Sequence, residues 1–113
     1  MTKEILEGNK LIKDFYTNEH IRGQFGRILS ADEYKYHFSW DWLMPVVEKI
    51  NTTELNGESF GVIIFGNYCH INDSENLIFE VTRASINEPL VYAVWKAVVQ
   101  FIHFYNTQSK VNK

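Results

Sequence analysis

The stretch from Glu88 to Asn106 reads as one helix whose apolar residues fill more than one face, and a chain that contains such an element has to fold around it. At about 100° per residue, Val91, Val94, Trp95, Val98, Val99, Ile102 and Tyr105 form a core stripe. Tyr92, Lys96, Gln100 and His103 form the only clearly polar one. Ala93, Ala97, Phe101 and Phe104 lie to one side and widen the apolar arc beyond what a helix on a single sheet needs. That excess predicts apolar surface left for self-association, with Phe104 in it. Asn87 or Ser85 caps the start, and Pro89 falls near the first helical position, where a missing N–H costs nothing.

The partners of this helix are also legible. Ser59 to Ile71 is rich in Val, Ile and Phe at both parities, the pattern of a central strand buried on two faces. It follows Asn56-Gly57, a strong turn signal, and precedes the turn Asn72-Asp73-Ser74-Glu75-Asn76. Leu77, Phe79 and Val81 then alternate with Glu80 and Thr82, as on a half-exposed strand. Upstream, Gln24 to Leu29 and Glu33 to Phe38 alternate around Ser30-Ala31-Asp32 and predict a hairpin. A first helix is predicted over Lys3 to Tyr16, with Ile5, Ile12, Phe15 and Tyr16 on one face. Gly8 shares that stripe at a cost of about 1 kcal/mol relative to Ala, which fits either close approach to another element or a tolerated glycine.

Between the expected hairpin and the central strand lies a strand-to-helix junction, Tyr36 to Ile50, holding two of the three tryptophans. Tyr36 and Phe38 alternate with Lys35 and His37, and Ser39 and Asp41 then offer capping oxygens. With Asp41 as cap, Pro45 removes only the first intrahelical bond; with Ser39 as cap it lies deeper. Either choice gives a helix from about Trp40 to Asn51. The predicted order is α-β-β-α-β-β-α, an α+β two-layer sandwich with a mainly antiparallel sheet and helices mostly on one face.

The segment SWDWLMPVVEKI, Ser39 to Ile50, resembles a segment of a family of small uncharacterised proteins from Bacteroidetes and their tailed phages. Glu7 to Ile12 near the start, and Lys96 to Ile102 with Tyr105-Asn106 near the end, resemble the same family's opening and closing helices. The resemblance spans most of the chain, although His20 to Tyr34 and Thr52 to Pro89 match only in pattern. It implies a phage or prophage origin and a shared fold. It implies no catalytic residue.

Length bounds the rest. A chain of 113 residues with 45% hydrophobic and 15% aromatic content is one folded domain, with loose ends expected at residues 1–3 and 107–113. A net charge of −3 supplies no field that would draw it to nucleic acid or an anionic membrane. Cys69 is the single cysteine, so no intramolecular disulfide is expected; no N-terminal apolar run suits a signal peptide, and no stretch approaches the roughly 18 apolar residues of a membrane span. A reducing, cytoplasmic setting is the expectation. Asn51-Thr52-Thr53 and Asn72-Asp73-Ser74 match the glycosylation pattern by chance.

No catalytic motif is assembled. His20, His37, His70 and His103 form no HxxxH or HExxH spacing, and Asp73 with Glu75 falls short of a calcium loop, so neither metal nor cofactor is expected. Trp42 is the more informative tryptophan: Leu43, Val46, Val47 and Ile50 mark the buried helix face, whereas Trp42 falls nearer Lys49 on the other side. It is either a ring lying flat across the junction or an interface anchor. The chain is therefore read as a small non-enzymatic protein-interaction module, phage or prophage encoded by the resemblance, that binds a bacterial or phage protein and self-associates. Trp42, His37, Lys35, Asp41, Lys49 and Phe104 are its candidate contact residues. Two other classes stay in view: a small enzyme or ligand-binding domain around His37, Asp41 and Trp42, and a single-stranded nucleic-acid binder, which lacks the basic groove such proteins use.

Overall fold

The first helix, α1 (Lys3–Tyr16), is opened by Thr2, whose hydroxyl accepts from the Ile5 N–H at 3.2 Å. The computed structural model describes residues 2–17 and 21–111. Thr2 and Lys3 are thus part of the helix start and not a loose end; Met1 lies outside the described residues, as does His20. The next helix, α2 (Trp40–Asn51), has Ser39 in the N-cap position, although its side chain makes no capping bond. Pro45 accordingly lies inside the helix and removes the bond its N–H would make to the Asp41 carbonyl. The helix ends where the Thr52 and Thr53 hydroxyls both donate to the Lys49 carbonyl, at 3.0 and 2.7 Å.

The expected hairpin over Gln24–Leu29 and Glu33–Phe38 is not formed. Gln24–Gly26 and Ala31–Glu33 are single 3-10 turns, and one isolated bridge joins Arg22 to Ile28. Of the alternating pair Tyr36 and Phe38 only Tyr36 is buried, together with Tyr34. The two tyrosines anchor an irregular segment against α1, with no neighbouring strand to pair it. Phe38, expected to point inward, is 57% exposed.

Sheet structure begins after α2. Asn56 and Gly57, at φ 55° and 83°, form the tight turn of a short hairpin, β1 (Glu54–Leu55) and β2 (Glu58–Ser59). The apolar run from Ser59 to Ile71 is two strands and not one, β3 (Gly61–Ile64) and β4 (Tyr68–Asn72), folded back at Phe65-Gly66-Asn67. With β5 (Leu77–Thr82) they make an antiparallel sheet in the order β3-β4-β5. A run apolar at both parities suits this hairpin too: Val62, Ile64, Cys69, Ile71, Phe79 and Val81 face the core, and Ile63 is left on the outer face beside the His70–Glu80 pair.

The fold is thus α+β, with helices gathered on one face of an antiparallel sheet. The closing helix α3 (Leu90–Val111) packs on β4 and β5, α2 packs on β3, and α1 lies against α3 and α2. Helix α3 runs on through residues read from sequence as tail, because extending an existing helix adds a bond per residue without a new nucleation cost. Covered from both sides, it buries both of its apolar faces: Val91, Ala93, Val94, Trp95, Ala97, Val98, Phe101 and Ile102 are all in the core. The apolar excess expected for self-association is consumed within the chain, since the covering elements include α1 and α2 as well as the sheet.

Candidate functional site

The junction before α2 is held by a buried polar network. Gly8 lets the Trp95 ring lie against α1: a Cβ there would be 2.4 Å from Trp95 Cζ2. The close approach brings Trp95 Nε1 to within 2.8 Å of Asn9 Oδ1, and an indole N–H can only donate. Asn9 Oδ1 is therefore the acceptor, and Asn9 Nδ2 donates to the Tyr34 carbonyl at 3.3 Å and to His37 Nδ1 at 2.9 Å. His37 must carry its proton on Nε2 and be neutral. Burial pushes its pKa below the ordinary histidine value, in the same direction. His37 is thus a scaffold residue, tied to α1 and α3.

Trp42 is held by Tyr36, edge-to-face at 5.1 Å between ring centres, and by Tyr34 at 6.4 Å. Half-buried, it is a wall common to two clefts. The first, about 450 Å³, has Leu29, Tyr34, Phe38 and Trp42 as its apolar lining and a charged rim that includes Arg22, Asp32 and Lys35. The second, about 270 Å³, is formed by Tyr16, Ile21, Tyr36, Trp42 and Pro45, with Asp41 as the one charged residue among the described residues lining it.

The loop flanking the first cleft is pinned at both ends. Gly23 N–H donates to the Arg27 carbonyl at 2.6 Å, Leu29 N–H to Ile21 at 2.7 Å, and Arg22 Nη1 to the Gly26 carbonyl at 2.8 Å. Arg27 meets Glu33 through two parallel contacts of 2.8 and 2.5 Å. That guanidinium, with the Ser30 N–H and hydroxyl, lowers the Glu33 carboxyl to about 2. Arg22 and Lys35 make no salt bridge among the described residues.

The candidate residues therefore separate. Lys35, Asp41 and Trp42 come together at the clefts, while His37 lines neither of the two. Lys49 lies over the Phe15 ring at 4.9 Å and donates to the Phe15 and Tyr16 carbonyls, closing the C-terminus of α1. Phe104 is half-buried among Phe60, Phe79 and Phe101. Asn9, Arg22 and Phe25 were not singled out by pattern. Asn9 had a signal, a polar side chain beside a costly glycine on the core face of α1; the others had none. Cys69 is buried, and burial pushes its thiol up to about 11. Among the described residues no three His, Cys, Asp or Glu side chains are grouped to hold a metal ion, and no helix is long and apolar enough to cross a membrane. No protein-family model, curated protein or solved structure matches the chain.

Proposed function

We propose that this protein is a small non-enzymatic interaction module that binds a protein partner through the face around Trp42. The observation that carries the reading is the position of Trp42 as the shared wall of two open clefts, with apolar lining and a charged rim. An apolar centre inside a polar rim is the anatomy of a protein interface, and a fixed tryptophan is a frequent anchor in one. Proton-transfer chemistry finds less support, because His37 Nδ1 is already engaged by Asn9. The phage or prophage origin and the bacterial or phage identity of the partner rest on the resemblance of the Ser39–Ile50 segment and its companions.

The test uses paired baits, wild type and Trp42→Ala, in host extract, with His37→Asn as a scaffold control and circular dichroism to establish that all are folded. Loss of one captured protein with Trp42→Ala, and its retention by His37→Asn, is the expected result. Equal capture by all three would remove the Trp42 face from the reading.

A further inference from the structure

One wall of the first cleft is a turn that its own backbone holds in shape. Phe25 and Gly26 both take positive φ, 64° and 76°, and the Gly23–Arg27 and Arg22–Gly26 bonds close the loop around them. Gly23, Gln24 and Arg27 are thereby set against the cleft, while Phe25 at the tip is exposed and takes no part in the lining. The apolar lining comes from Leu29, Tyr34, Phe38 and Trp42. Phe38 rests on the His37 ring at 4.8 Å and still leaves 57% of its surface open. Apolar surface left open along a cleft with a held wall is surface for a ligand to cover.

The charges around this lining do not cancel. Arg27 and Glu33 neutralise each other in their own ion pair, so neither is left for a ligand. Of the other charges lining the cleft, Arg22 and Lys35 are cations without an ion pair among the described residues, and Arg22 commits Nη1 to the Gly26 carbonyl. Asp32, whose carboxylate accepts from the Ser30 hydroxyl, is the anion set against them. One net positive charge thus borders an apolar lining, in a chain whose total is −3. We infer that the first cleft takes a short segment of a partner protein in which one aspartate or glutamate stands beside a large apolar side chain. The carboxylate meets Arg22 and Lys35, and the apolar group covers Phe38 and Trp42. A single carboxylate matches the excess charge. A row of phosphates would instead oppose Asp32 and then the negative charge of the rest of the chain, which disfavours a nucleic-acid strand. The inference rests on the Trp42 face being an interaction surface and adds what the partner presents to it.

The experiment selects binders from a displayed random-peptide library on wild type, Lys35→Glu and Trp42→Ala, with circular dichroism to establish that each is folded. Lys35 is exposed and takes no part in pinning the loop, so Lys35→Glu reverses one charge and leaves the wall in place. Wild type is expected to enrich peptides with an aspartate or glutamate beside a phenylalanine, tryptophan or leucine. Lys35→Glu should lose the acidic enrichment, and Trp42→Ala should lose both parts of the pattern. The strongest wild-type peptide, made synthetically, should bind Lys35→Glu about tenfold or more weakly by fluorescence anisotropy, a gap that narrows in high salt. Peptides that depend on Trp42 but carry no acidic enrichment, or that bind Lys35→Glu like wild type, overturn the inference and leave the Trp42 reading standing. A short oligothymidylate that displaces the peptide and depends equally on Lys35 overturns it in favour of a nucleic-acid strand. Absence of enrichment on any of the three proteins also overturns it, and the Trp42→Ala capture experiment then decides the broader reading by itself.

Discussion

At the scale of single residues, Asn9 sets more of the molecule than any charged group does. Its amide is fully buried, and its two ends are assigned without ambiguity because the indole of Trp95 can only donate. That assignment makes His37 an acceptor through Nδ1, so protonating the ring there ejects it from the network. Folding therefore favours neutral His37, and its pKa in the fold lies below the ordinary 6.5. In the window between the two values the unfolded chain binds the proton and the folded chain does not, so stability falls as pH drops from above 6.5 toward the lower value and levels off below it. Urea midpoints measured from pH 7.5 to 5 should decline for wild type. His37→Asn keeps an acceptor near the position of Nδ1 without a titrating ring, so its decline over the same range should be shallower. Parallel curves for the two proteins would show that His37 does not couple protonation to folding.

At the scale of elements, the three helices were readable from periodicity because each carries a stripe that matches its surroundings, α2 to the residue at both ends. What periodicity missed was who sits on the far side of a stripe. Ala93, Ala97 and Phe101 were read as surplus, yet all three are fully buried, since α1 and α2 cover α3 where a single sheet would not. The segment from Ile21 to Phe38 shows the converse error. Alternation at Tyr36 and Phe38 reports burial correctly for Tyr36 alone, and a strand also needs a pairing neighbour, about which burial of alternate side chains says nothing. Of the site, Trp42, Lys35 and Asp41 were legible through their place at the junction. The Phe25 loop was not, because its shape comes from backbone bonds and a positive φ that no residue pattern announces. The covered helix makes a testable ranking. Trp95→Ala removes a fully buried ring and the donor to Asn9, and should cost about 3–5 kcal/mol. His103→Ala, on an exposed position of the same helix, should stay within about 0.5 kcal/mol of wild type. Comparable urea midpoints for the two variants would mean that the buried side of α3 is misassigned.

At the scale of the whole molecule, the two ends of the chain close on each other. The Asn9–Trp95 bond joins residues 86 apart, Phe15 packs edge-to-face on Phe101 and Tyr105, and Lys49 holds the last carbonyls of α1. Helix α1 is therefore a structural member of the core, and its loss would do more than shorten the protein. Ile12 is fully buried and Ile5, Leu11 and Phe15 pack against the core from its edge, each contributing of the order of 1–3 kcal/mol of burial. Removing them also leaves the Trp95 indole and the Tyr34 carbonyl without their bonds to Asn9, at about 1–3 kcal/mol for each group that stays dry. The sum is comparable with the whole stability of a domain this size, about 5–15 kcal/mol. A fragment beginning at Thr17 should thus lack near-ultraviolet circular dichroism, emit at the wavelength of solvated tryptophan and show no sigmoidal urea transition. Adding the α1 peptide in trans should restore the signals as a saturable function of its concentration, because the surface it leaves is shaped for it. A fragment that keeps a cooperative transition alone would place the core in the sheet, α2 and α3, and would reduce α1 to a cover.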